Sequence, residues 1–89
     1  MVSRMVTPRQ IRAGRALLGW TQQTLADRAL VAVNSVRAVE RGLPHPKAET
    51  IGAMHAALRK AGVVFLSDDV MGEGVRLAKP ISRRRDSKS

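Results

Sequence analysis

Residues 20–42, WTQQTLADRALVAVNSVRAVERG, constrain the fold more than any other stretch of this chain. Thr21 is a capping residue, and the two turns after it carry Leu25, Ala26 and Ala29 on one face. A second short helical pattern runs from about Ala32 to Arg41, with Val36 and Val39 as its inward pair and Gly42 closing it. Almost no linker separates the two. The second pattern also presents Val33, Asn34, Arg37 and Ala38 on its outer side, a surface that core filling does not require.

The flanks supply the rest of a small helical domain. Thr7-Pro8-Arg9-Gln10 opens a first helix: Thr7 caps, Pro8 suits the first helical position and Gln10 completes a capping box. Ile11, Ala13, Leu17 and Leu18 are its main apolar residues, and Gly19 ends it. Leu43-Pro44-His45-Pro46 is a loop, since prolines at this spacing do not sit inside a helix. A fourth helix runs from about Lys47 to Ala61, with Ile51, Met54, Leu58 and Ala61 on one face. After Gly62 the pattern changes. Val63-Val64-Phe65-Leu66 reads as a strand, Ser67–Gly74 as a turn and Val75-Arg76-Leu77 as the return strand. A lone two-stranded hairpin is marginal in water, so this one must lean on something.

Charge divides the chain the same way. The net charge of the 89 residues is +9. Residues 1–62 carry ten Lys/Arg against three acids, residues 63–78 one against three, and residues 79–89 five against one. A basic domain of this size points to a polyanion, usually nucleic acid. One Trp, one Phe and no Tyr leave little material for stacking unpaired bases, which turns the expectation toward duplex DNA. No cysteine is present for a disulfide or a thiolate metal site. His45 and His55 lack clustered ligand partners, so no metal or other cofactor is expected. The sequence contains neither a nucleophile–base pair nor a phosphate-cradling glycine loop, so no enzymatic activity is expected. No apolar run reaches bilayer length, and the expected location is the cytoplasm, without a membrane partner.

Two helices meeting at a steep angle across a short turn allow the second to enter the DNA major groove. At this point the chain resembles the lambda-repressor-like helix-turn-helix domain of the Cro/Xre transcriptional regulators. LLGWTQQTLADRA (17–29) and NSVRAVERG (34–42) carry the resemblance, which spans residues 7–62. It implies a mainly α fold with a four-helix domain; the residue pattern beyond it, which the resemblance does not cover, adds a C-terminal β-hairpin at 63–78 and a basic, disordered tail at 79–89. The resemblance also implies a DNA-binding regulator, such as a repressor, that docks its third helix in operator DNA as a homodimer. The alternative is an antitoxin or anti-activator-like module of the same fold that acts on a protein partner.

The resemblance assigns roles to particular residues. Gln22 takes a phosphate position at the start of the second helix, with Thr21 and Gln23 beside it. Val33 and Asn34 stand where base edges are read: Val33 against a thymine methyl, Asn34 paired with adenine. Arg37 takes a guanine or a phosphate, and small Ala38 permits close approach. Arg41 and Lys47 hold phosphates at the rim. Arg15 and Glu40 are expected to form a structural ion pair between the first and third helices. Two positions depart from the family pattern. Leu30 stands where Gly is usual, and Ala32 where Ser or Thr usually caps the third helix. Either the turn has another geometry, or the domain carries about 1 kcal/mol at each.

The remaining residues have plainer expectations. Trp20 packs over the core, His45 and His55 lie on the surface, and Asp68, Asp69 and Glu73 form a solvated turn. Arg83-Arg84-Arg85 is a solvated tail able to add non-specific DNA affinity. Dimerisation is expected through the hairpin, by Val63, Val64, Phe65, Leu66, Val75 and Leu77, because an exposed apolar edge invites pairing.

Overall fold

The computed structural model describes residues 6–44, 46–66 and 72–78. The elements run α1 (Pro8–Leu18), α2 (Gln22–Ala29), α3 (Val33–Glu40), α4 (Ala48–Lys60), β1 (Val63–Leu66) and β2 (Gly74–Leu77). Four helices and an antiparallel hairpin are the architecture expected from the sequence. The strands pair Val63 with Leu77, Val64 with Arg76, Phe65 with Val75 and Leu66 with Gly74. His45, Asp68, Asp69 and the tail from residue 79 onward lie outside the described residues.

Local chemistry explains where the helices begin and end. At α1 the capping box is complete: the Gln10 amide N–H donates to Thr7 Oγ1 and the Thr7 N–H donates to Gln10 Oε1, both at 3.1 Å. Gly19 ends α1 in the left-handed region, at φ 70°. At α2 the Thr24 N–H donates to Thr21 Oγ1 at 3.0 Å. By contrast, no side chain caps α3, whose N-cap is Ala32. Leu30 adopts the left-handed conformation itself, at φ 60° and ψ 44°. Its side chain is 91% exposed, so no packing offsets the backbone strain locally. The turn thus keeps the left-handed geometry that a glycine would adopt without penalty, and the domain carries the cost of about 1 kcal/mol.

The core joins every layer. Ile11 of α1, Leu25, Ala26 and Ala29 of α2, Val36 and Val39 of α3, Met54 and Leu58 of α4, and Val63 of β1 form one buried cluster. Trp20 packs against it, half-buried, with the Arg28 guanidinium 5.1 Å from its ring. The inward face of α1 differs from the apolar set read in the sequence. Gln10, Ile11 and Gly14 are buried, whereas Ala13 and Leu17 are exposed. The cause is the hairpin, which folds back over α1 and α4. A methyl built on Gly14 would lie 3.2 Å from Val63 Cγ1, so the missing side chain lets the strand come close. Gln10 Nε2 donates to the carbonyls of both Leu66 and Gly74, at 2.9 Å each.

The docked hairpin corrects three expectations. Val63 is 3% exposed in its own chain, so its side chain has no surface to offer a second copy. His55 is half-buried rather than on the surface, with Phe65 meeting its ring edge-on, centroids 4.6 Å apart and planes at 89°. Glu73 is not a solvated turn residue. Its Oε2 accepts from Arg9 Nε at 2.7 Å and from Thr7 Oγ1 at 3.1 Å, which fastens the hairpin to the start of α1. The hydrogen bond from Arg9 holds the Glu73 carboxyl below its usual pKa.

Two outcomes follow. Leu30→Gly relieves the left-handed strain and raises unfolding free energy by about 1 kcal/mol, less the added flexibility of the unfolded chain, as read by urea denaturation. The second concerns pH. Burial, and then the charge of Arg59, lower the His55 pKa below its ordinary 6.5. The unfolded chain therefore binds a proton more readily than the folded one. Stability contributed above the unfolded value is lost as pH falls through it toward the folded value. Urea midpoints measured from about pH 7.5 down to about pH 5.5 should fall less steeply in His55→Leu than in the parent.

Candidate nucleic-acid interface

The outer face of α3 depends on how its inner end is held. Glu40, the last residue of α3, is 3% exposed, and a bare carboxylate there would be costly. It is fully engaged. Arg15 meets it with two parallel bonds, Nε to Oε2 at 2.7 Å and Nη2 to Oε1 at 2.9 Å. Gln22 Nε2 donates to Oε1 at 3.1 Å, and Arg12 Nη1 donates to the Glu40 carbonyl at 2.6 Å. Arg15 Nη1 also donates to the Trp20 carbonyl at 2.9 Å. The hydrogen bond to Glu40 raises the Arg15 pKa; burial works against that, and charge attraction adds to it. One buried carboxylate thus ties α1, the α1–α2 turn, the start of α2 and the end of α3 together.

With Val36, Val39 and Glu40 turned inward, α3 leaves Asn34 and Arg37 exposed and Val33, Ser35 and Ala38 half-buried. Asn34 and Arg37 lie one turn apart and bond to each other, Arg37 Nη1 donating to Asn34 Oδ1 at 2.7 Å. Val33 packs partly against the core, and the Ala38 carbonyl accepts the Leu43 N–H as the chain leaves the helix. Arg41 and Lys47 are exposed at the two ends of the loop between α3 and α4. At the start of α2, the Gln22 side chain turns to Glu40 and Gln23 Nε2 turns to Asp27 Oδ1, at 2.9 Å. Both residues keep backbone N–H groups in the first helical turn, which has no intrahelical acceptors for them.

The Arg15–Glu40 pair was expected from the sequence, but Gln22 was expected at a phosphate rather than at this carboxylate. Sequence reasoning missed Arg12, and it gave Gln10 only its capping role. The spacing of Arg12 and Arg15 on one helix face was the available signal. No described helix is long and apolar enough to cross a membrane. Among the described residues no three His, Cys, Asp or Glu side chains gather as a metal site would require.

Removing the carboxylate charge tests the tie. Glu40→Ala leaves the Arg15 guanidinium partly buried without its partner and should cost about 3–5 kcal/mol in urea unfolding. Glu40→Gln should cost less, since the amide oxygen still accepts one of the bonds.

A family model described as helix-turn-helix matches residues 11–63, more than half of the chain. No curated protein matches it. The matched span starts at Ile11, takes in both helices of the motif and α4, and stops at Val63, the core residue of the hairpin. The family is a DNA-binding regulatory domain rather than an enzyme family. With α2 and α3 joined by a short turn, left-handed at Leu30, and the third helix anchored, the chain belongs to the Cro/C1-type helix-turn-helix regulators.

Proposed function

We propose that this protein is a sequence-specific regulator of transcription that binds operator DNA as a homodimer, with α3 in the major groove. The observation that carries the reading is the anchored α3. Its inner face and its end are held by the core and by Glu40, while Asn34 and Arg37 stand exposed on the other side. The major groove is about 12 Å wide and admits one helix presented in this way. The first-turn N–H groups of Gln22 and Gln23 face one phosphate strand, and exposed Arg41 and Lys47 supply charge at the rim. The test is binding to the DNA upstream of the protein's own gene, against random competitor at stated salt. A specific complex supports the reading, and equal affinity for all duplexes overturns it. Asn34→Ala and Arg37→Ala should each cost about 1–3 kcal/mol at the operator and relax one base position.

A dimer reads two half-sites about one DNA turn apart, which a single short helix does not do alone. The hairpin supports self-association through the face that its own helices leave uncovered. Val64 and Leu66 point away from Val63 and Phe65 by strand alternation, whereas Leu77, paired with Val63, belongs to the covered face and is 41% exposed only at the sheet's end. Phe65 and Val75 are partly spent on the chain's own core. Truncation at Gly62 is a poor probe because it removes Val63 from that core. Val64→Lys with Leu66→Lys instead should convert the dimer to a monomer in sedimentation and weaken operator binding while leaving helix content intact. A protein partner in place of a second copy, as in an antitoxin or anti-activator, is favoured only by the apolar exposure of Leu30 and this same face. It predicts a monomer in sedimentation.

A further inference from the structure

The bond between Arg37 and Asn34 restricts which bases α3 can read. Arg37 carries only N–H donors, so the atom of Asn34 that faces it, 2.7 Å from Nη1, must be the oxygen. The Asn34 Nδ2 group is then the end left for DNA. On Arg37 the bond occupies Nη1, while Nε and Nη2 make no hydrogen bond within the described residues. Those two nitrogens form a parallel fork. The exposed centre of α3 therefore offers donors only: the two N–H of the Asn34 amide and the fork of Arg37. Of the half-buried side chains beside them, Val33 and Ala38 add no polar atom and Ser35 adds one hydroxyl.

We infer, resting on the DNA-binding reading above, that Asn34 and Arg37 act as one donor-only unit that selects two neighbouring G·C pairs, and that Asn34 does not read adenine. An asparagine reads adenine by accepting from N6 with its oxygen while donating to N7. Here that oxygen is committed. In free solution an exposed pair one turn apart is held by only a few tenths of a kcal/mol, so water alone would not keep the amide in place. In the groove the balance changes, because water is excluded. Turning the amide over would press its N–H₂ against the guanidinium and leave donors on both residues unpaired, a large penalty once desolvated. Guanine fits the surface as it stands. Its N7 and O6 lie side by side and both accept, so one guanine takes the Arg37 fork and the next takes the Asn34 N–H groups. Adenine would set its N6–H₂ against a donor, and cytosine offers only a donor.

The experiment selects sites from a randomised duplex pool with the full chain at stated salt. It is repeated with Asn34→Ala to locate the base pair that Asn34 reads, and with Arg37→Met, which keeps the apolar stem and removes the donors. The parent should enrich G·C at the Asn34-dependent pair and at a neighbouring pair. Replacing either guanine by 7-deazaguanine in the selected site should weaken binding about tenfold. In Arg37→Met the Asn34 oxygen is released, and the Asn34-dependent pair should shift from G·C to A·T. An A·T pair at that position with the parent protein overturns the inference and leaves the regulator reading standing. So does an unchanged G·C preference in Arg37→Met. A pool from which no sequence is enriched overturns both.

Discussion

The position of α3 depends on one buried carboxylate. Glu40 lies at the end of an eight-residue helix that begins without a side-chain cap and follows a strained turn. Local preferences alone would leave such a helix poorly defined, since two turns are marginal in water. Four hydrogen bonds from Arg12, Arg15 and Gln22 converge on this one residue and fix its place against α1 and α2. A buried ion pair is weak evidence for stability, because desolvation offsets much of the attraction. What it supplies here is direction: a guanidinium fork and a carboxylate fit in one plane, so a small rotation of α3 would break several bonds at once.

That arrangement explains how the domain tolerates two local misfits. Leu30 and Ala32 together cost about 2 kcal/mol relative to glycine and a hydroxyl cap. Burying Val36 and Val39 is worth about 1.5–3 kcal/mol each, which more than offsets the loss. The chain thus relies on tertiary packing where a more regular sequence would rely on the turn itself. The hairpin contributes to the same economy of parts. It packs Val63 and Phe65 against the core shared by α1 and α4, and Gln10 satisfies two of its carbonyls. Its Glu73 neutralises Arg9 beside the start of α1, so this carboxylate is held against its own domain.

Much of this was legible in the residues. Pro8, Gly19, Thr21, Gly42 and Gly62 mark boundaries that depend on φ, ψ and a nearby hydroxyl, all local quantities. The face of α4 carrying Met54 and Leu58 follows from helical periodicity. The inner face of α1 does not follow from its apolar residues, because Gly14 and Gln10 are not apolar, although both are buried. Their burial is set by a strand some fifty residues away in the sequence, and no local pattern records it. His55 and Glu73 were read as solvated for the same reason.

The sequence by itself determined the helical elements, the two-helix motif and the exposure of Asn34 and Arg37, because each is a matter of period and punctuation within a few turns. Only the tertiary structure decided that the hairpin docks on its own helices, that Leu30 bears a left-handed backbone, and that Gln22 turns to Glu40. These depend on which groups remain unsatisfied once the helices have packed. The buried Gln10 amide must find the hairpin's carbonyls, and a buried carboxylate must find Arg15 and Gln22.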